Sequence, residues 1–170
     1  SQALPSQTGN SGKFVTTNGS SASWVAINNQ YSNTGVTTRA FDTASGTQTI
    51  AHGLGVTPKI VRISANVKGF TSGENYSNAS SVGVYSNSNT VSVYNTNIGK
   101  TGGGTYLQTG PGTDSTYIVY LYNLYDQVGN YSQQVATITL DSTNITLTWT
   151  FNNGGATSSN LMNILWEAIG

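Results

Sequence analysis

Apolar and polar positions alternate through most of this chain at the two-residue period of a strand, not the 3.6-residue period of a helix. In "NITLTWTFN" (144–152), Ile145, Leu147, Trp149 and Phe151 fall on one face, and Thr146, Thr148 and Thr150 on the other. That stretch predicts a half-buried strand with a threonine-lined outer face. Further strands are predicted at "TTRAFDT" (37–43), "TQTIAH" (47–52), "PKIVRISANV" (58–67), "SVGVYS" (81–86), "TVSVYN" (90–95), "TYIVYLYNL" (116–124) and "QVATITLD" (134–141), all rich in β-branched and aromatic residues. A closing run, "NLMNILWEAI", adds one more. The turn clusters "ASG", "GLGV", "SNSN", "DSTN" and "NNGG" separate them. No window sets apolar residues at helical spacing between a cap and a closing glycine. The pattern predicts an all-β chain folded as an antiparallel β-sandwich of jelly-roll type.

"TYIVYLYNL" departs from the alternation. Ile118, Tyr120, Tyr122 and Leu124 oppose Tyr117, Val119 and Leu121, so both faces are apolar. Such a strand has the core on one side and a second cover on the other, either another subunit or a long loop of the same chain. Residues 68–80 and 95–114 are rich in Gly, Asn, Ser and Thr, yet carry Phe70, Tyr76, Tyr106 and Leu107. A flexible linker has no use for such side chains, so these stretches, with 125–133, read as functional loops on a rigid scaffold.

The opening "SQTGNSGKFVTTNGSSASWVAI" (6–27) offers almost nothing to a core before Trp24. A phosphate loop would need G-x-x-x-x-G-K-[ST] between a buried strand and a helix. Here Gln7 stands at the first glycine and Phe14 follows Lys13, so that reading fails. Residues 1–23 are expected to form an extended N-terminal strut or linker, and 24–170 the sandwich head. With no basic, then apolar, leader after Ser1, the sequence reads as a processed or excised piece of a longer chain.

Composition narrows the partners. Only 7% of residues are charged, six basic and six acidic, while Asn (19), Ser (21) and Thr (25) exceed a third of the chain. Ten Tyr, three Trp and four Phe argue for a packed fold over disorder. Nucleic acid needs clustered cations, and the six here are scattered from Lys13 to Lys100. No apolar run is long enough to insert in a membrane. Without cysteine there is neither a disulfide nor a thiolate metal site. An uncharged amide and hydroxyl surface suits neutral, hydrogen-bonding partners.

Catalytic chemistry finds little purchase. His52 is the single histidine, and no G-x-S-x-G elbow accompanies it, so it is expected to close a strand and bond the turn at Gly53 and Gly55. The acids Asp42, Glu74, Asp114, Asp126, Asp141 and Glu167 are dispersed, although folding could pair two of them as a glycosidase requires. No calcium-loop pattern occurs, and no metal or other cofactor is expected. The remaining constellation sets loop tyrosines among amides: Tyr76 with Asn75 and Asn78, Tyr106 with Gln108, and Tyr131 with Asn130, with Asp114 at the end of the second loop. A sugar presents an apolar C–H face and a rim of hydroxyls, which an aromatic plate and adaptable amides match. These eight residues are the candidate ligand site; each tyrosine could equally pin its loop to the sandwich.

Three stretches carry a resemblance. "LPSQTGNSGKFVTTNGSSASW" resembles a segment that recurs in bacteriophage tail fibres ahead of a new structural unit. "IAHGLGVTPKIVRISA" resembles a strand, turn and strand of distal fibre domains and, more loosely, the sandwich of H-type lectins; "ILWEA" is similar to the last strand of such domains. The resemblance implies a homotrimeric receptor-binding tip on the virion, outside the cell, that docks without catalysis on a bacterial surface polysaccharide or lipopolysaccharide. In that setting Phe14 and Trp24 are expected to insert at the trimer junction. The alternatives are a polysaccharide depolymerase and a structural capping or spacer domain.

Overall fold

The computed structural model of the chain describes residues 5–26, 31–67, 77–98, 109–124, 131–153 and 160–170. Two compact units make it up, Ser1–Tyr31 and Ser32–Gly170. The first contains β1 (Lys13–Thr17) and β2 (Ala22–Ala26). The second contains β3 (Ser32–Ala40), β4 (Gly46–Ala51), β5 (Ile60–Val67), β6 (Ser77–Ser86) and β7 (Asn89–Ile98). It continues with β8 (Thr109–Asp114), β9 (Val119–Leu124), β10 (Tyr131–Leu140), β11 (Asn144–Asn153) and β12 (Leu161–Ile169).

The second unit is the expected antiparallel sandwich. Its sheets run β4-β11-β10-β9 and β3-β12-β5-β6-β7-β8. The alternation in β11 holds: Ile145, Leu147 and Trp149 are buried, while Thr148 and Thr150 are exposed. Register extends that face to the neighbours, because Ala136 pairs with Trp149, Val119 with Ala136, and Ile50 with Ile145. Opposite them, Val61, Ile63 and Ala65 of β5 and Met162, Ile164 and Trp166 of β12 close the core. Each fully buried aliphatic side chain contributes about 1.5–3 kcal/mol over its exposed state.

Polar side chains inside the sandwich hold its corners. Gln134, fully buried on β10, donates from Nε2 to the carbonyls of Phe41 (2.8 Å) and Thr43 (2.7 Å), fixing the β3–β4 connection. Arg39 donates to the Ala44 carbonyl at 2.6 Å and lays its guanidinium 5.2 Å from the centre of the Trp149 ring. Burial lowers the pKa of Arg39. His52 behaves as the turn-bonding residue expected of it. Its Nδ1 accepts from the Leu54 N–H (3.2 Å), which leaves Nε2–H to donate to the Asp141 carbonyl (3.1 Å). Both ring nitrogens are engaged and the side chain is fully buried.

The turns follow their side-chain chemistry. Asn87 and Ser88 both take positive φ (50° and 64°), the two-residue primed turn whose twist suits a hairpin, and it joins β6 to β7. Between β10 and β11, Asp141 Oδ1 accepts the N–H groups of Thr143 and Asn144 and the Thr143 hydroxyl, each at 2.7 Å. These bonds, led by the Thr143 hydroxyl, lower the Asp141 pKa from 3.8 to about 2. The unfolded chain therefore takes up this proton at a higher pH than the folded one. The carboxylate's stabilisation is complete above its ordinary pKa and is lost as pH falls toward about 2. Urea titrations at stepped pH are expected to show this loss in the wild type and a flatter profile in Asp141→Asn; identical profiles would refute the assignment.

Several strands differ from the expectation. The sequence pattern reads 95–114 as a loop, whereas β7 continues to Ile98 and β8 occupies Thr109–Asp114. β8 is the edge of its sheet, where the missing N–H of Pro111 breaks no inner ladder. Tyr94 pairs with Gly112 and Thr96 with Thr109, so the register shifts at a bulge around Pro111. The stretch 68–80 likewise gives its last residues to β6. At the N-terminus the expected strut is no single extended run. Asn18 Oδ1 accepts the N–H groups of Ser20 (3.0 Å) and Ser21 (2.9 Å), Gly19 takes φ 89°, and β1 returns as β2. The first unit consequently takes in Trp24 and ends at Tyr31.

Candidate functional site

The site is built where β9 crosses the larger sheet. β9, the edge of the four-stranded sheet, lies against β5, β6 and β7, so β8 extends past it as a ledge. Gly83 makes the crossing possible: a Cβ there would stand 1.9 Å from the Ile118 carbonyl oxygen. One residue pair away, the Tyr120 N–H donates to the buried Ser81 hydroxyl at 3.0 Å. These two contacts seat the start of β9 on β6.

Three tyrosines converge there. Tyr94, on the side of β7 that carries buried Ser92, lies over Gly112, where a Cβ would come within 2.2 Å of its ring. It stacks on Tyr120 with ring centres 4.2 Å apart and planes 17° apart. Tyr117 joins at 6.1 Å from Tyr120 with its plane tilted by 60°. All three rings are partly exposed. Stacked aromatic pairs of this kind contribute about 0.5–1.5 kcal/mol beyond the area they bury.

Uncharged polar groups surround the rings. Gln133 Oε1 accepts from Asn152 Nδ2 at 2.9 Å, which leaves the Gln133 amide N–H to donate to the Tyr120 hydroxyl. Burial chiefly raises the Tyr120 pKa, helped by neighbouring Tyr94 and Asp114, so the phenol stays neutral and can donate as well as accept. Across the outer face of β4, β11 and β10 the polar character continues in register. Thr47, Thr148 and Thr137 form one row and Thr49, Thr146 and Thr139 the next. Apart from the Asp114 carboxylate, the combination offers aromatic plates, amides and hydroxyls without a formal charge.

Asp114 belongs to this cluster, but as a brace. Its Oδ1 accepts the N–H groups of Thr116 (2.6 Å) and Tyr117 (2.7 Å), shaping the turn that delivers Tyr117. Of the other predicted ligand residues, Asn75, Tyr76, Tyr106, Gln108 and Asn130 lie outside the described residues. Asn78 and Tyr131 are described only as strand positions, paired with Asn97 and Leu124. Tyr94, Tyr117, Tyr120, Gln133 and Asn152 were not among the sequence candidates. For Tyr117 and Tyr120 the signal is the doubly apolar stretch "TYIVYLYNL", which this chain's own β7 covers in part; Tyr94, Gln133 and Asn152 lie outside it.

Three of the described acids are engaged by neighbouring groups of the chain. Glu167 pairs with Arg62 at 2.6 Å on the outer side of the larger sheet, and Asp141 and Asp114 hold turns. Among the described residues no three His, Asp or Glu side chains are grouped to hold a metal. In the hairpin, Phe14 pairs with Val25 and Val15 with Trp24, so Phe14 and Trp24 occupy opposite faces of a two-stranded ribbon. Trp24 Nε1 donates to the Pro5 carbonyl at 3.3 Å, while Phe14 is 48% exposed. No protein-family model, no curated protein and no solved structure matches the chain.

Proposed function

We propose that this chain is a non-catalytic adhesion domain, the tip of a phage tail fibre, that binds a neutral bacterial surface glycan and is presented in several copies. The observation that carries the reading is the partly exposed cluster of Tyr94, Tyr117 and Tyr120 beside the Gln133–Asn152 amide pair. A pyranose ring has an apolar C–H face for an aromatic plate and hydroxyls for the amides. Neither needs a charged side chain. The rings are fixed by stacking and by the strand backbone, so little side-chain entropy is lost on binding. A single site of this kind binds weakly, and several copies on one fibre raise avidity by about 10² to 10⁴.

Labelled protein applied to a panel of bacterial surface glycans tests the reading. Tyr120→Phe keeps the stack on Tyr94 and removes only the hydroxyl bonded by Gln133, so it is expected to weaken binding by up to about tenfold with little change in melting temperature. Tyr117→Ala, which empties one plate, is expected to weaken it further. Wild-type binding that both variants leave unchanged would move the site elsewhere, and failure to bind any glycan would end the proposal. Release of oligosaccharide from the glycan would replace adhesion by depolymerisation.

A further inference from the structure

The two outer faces of the sandwich are written in different residues. On the four-stranded sheet the outward positions of β4, β11 and β10 carry threonines at 47, 49, 137, 139, 146, 148 and 150, beside Gln133, Val135 and Asn152. On the six-stranded sheet the outward row across the strands reads Val36, Leu165, Ser64, Val82, Val93 and Thr113. The next row reads Thr34, Glu167, Arg62, Val84 and Val91. Leu161 adds to the same face at the far end of β12. Among the described residues of the second unit, these seven Val and Leu side chains, with Val56 in a turn, are the large apolar groups left exposed, from 36% at Val84 to 67% at Val36.

Valine and threonine have nearly the same shape and both favour strands, so neither packing nor propensity distinguishes the two faces. What differs is the affinity for water. A chain that sets Val82, Val84, Val91 and Val93 side by side on the outer face of β6 and β7, with Val36 and Leu165 in the same row as Val82 and Val93, where the other sheet carries threonines, marks that patch for burial. Charge narrows the occupant. Arg62 and Glu167 are the charged groups among the outward strand positions of this sheet, and they neutralise each other at 2.6 Å. Among the described residues a polyanion or a charged lipid surface would find no unpaired cation on these strand positions, whereas the identical, equally neutral face of another copy would fit it.

The geometry points to burial of the outer face of the six-stranded sheet against a second copy of this same chain. The inference rests on the several-copy part of the function proposed above and is independent of the ligand. Six strands about 4.8 Å apart, with same-face residues about 6.8 Å apart along each, give a face of roughly 25 by 20 Å. Two such faces together bury on the order of 1,000 Å², the lower bound for a specific association. Twisted sheets pack face to face with their strands within about 30°, which interdigitates the valine rows.

The test is the mass of the full chain in sedimentation or light scattering at micromolar concentration. Wild type is expected at twice 17.8 kDa, the mass of one face-to-face pair. The variant Val82→Thr, Val84→Thr, Val91→Thr, Val93→Thr keeps shape and strand propensity and is expected to run as a monomer, with its association weakened at least 100-fold. A second variant, Phe14→Ser with Trp24→Ser, is expected to keep the wild-type mass. A monomeric wild type overturns the inference, as does a four-threonine variant that assembles normally or a hairpin variant that alone falls apart. Circular dichroism shows whether each variant is folded; if the four-threonine protein is unfolded, the single change Val93→Thr, expected to weaken association at least fivefold, decides by the same reading. Glycan binding by the monomeric variant separates the two proposals, since loss of self-association leaves each single site intact.

Discussion

Replacing Trp149 by alanine is expected to cost about 3–5 kcal/mol, the range for removing a buried large aromatic. For a chain of this length that lowers the melting temperature by ~6 to 20 °C. Trp149 is 1% exposed at the centre of β11, and three features meet on it. Its ring fills the core beside Ala136, its Nε1 donates to Gln48 Oε1 at 3.1 Å, and the Arg39 guanidinium lies 5.2 Å from its ring centre. Removing the ring leaves a cavity, an unpaired Gln48 carbonyl and a partly buried cation facing the void. Trp149→Phe separates these effects. Most of the ring volume returns while the Nε1 bond stays lost, so the cost is expected to fall to about 1–3 kcal/mol, that of an unsatisfied buried acceptor. Denaturant titration followed by circular dichroism measures both variants. Equal costs for the two would show that the hydrogen bond, not the volume, holds this corner.

Trp149 also illustrates what the sequence makes legible. In β11 one face is apolar and the other threonine, so the alternation states both the strand and its inner side, and β10, β5 and β12 are read in the same way. "TGPGTD" gives no such reading. Its glycines and proline are turn residues locally, and they form β8 because Tyr94 needs Gly112 beneath its ring and because an edge strand tolerates Pro111. The hairpin β1–β2 is hidden for another reason. Its apolar positions Phe14, Val15, Trp24 and Val25 come as adjacent pairs, which mark neither face. The site is harder still. Tyr94 and Tyr120 belong to different sheets and lie 26 positions apart, and only the crossing of β9 over Gly83 brings their rings together. A tyrosine in a polar loop stands out as a ligand candidate, whereas Tyr94 and Tyr120 stand on strands, where a tyrosine reads as core, and Tyr117 sits in the turn that leads into β9.

The ledge and the valine face share their strands. β7 alternates Val91 and Val93 outward with Ser92 and Tyr94 inward, and β6 alternates Val82 and Val84 outward with Ser81 and Gly83 inward. The ligand site and the outer face therefore lie on opposite sides of the same two strands, with no residue in common.

Gly83→Ala tests the crossing on which the site depends. The added methyl would stand 1.9 Å from the Ile118 carbonyl oxygen and 2.7 Å from its carbon, and these are backbone atoms that no rotamer can clear. Ile118 cannot swing away easily, because it is fully buried and its N–H donates to the Ala136 carbonyl at 2.8 Å. Overpacking usually costs about 1–3 kcal/mol, and a main-chain clash places this variant at or above the upper end. The strain should be relieved by moving β9 off β6, which breaks the Tyr120 N–H bond to Ser81 and opens the Tyr94–Tyr120 stack. Amide hydrogen exchange is expected to show Val119–Leu121 losing protection while Leu147 and Ile164 keep theirs, and glycan binding should fall with the stack. Wild-type protection in β9 together with an unchanged melt would mean that β9 does not cross at Gly83, and the tyrosine cluster would lose its foundation.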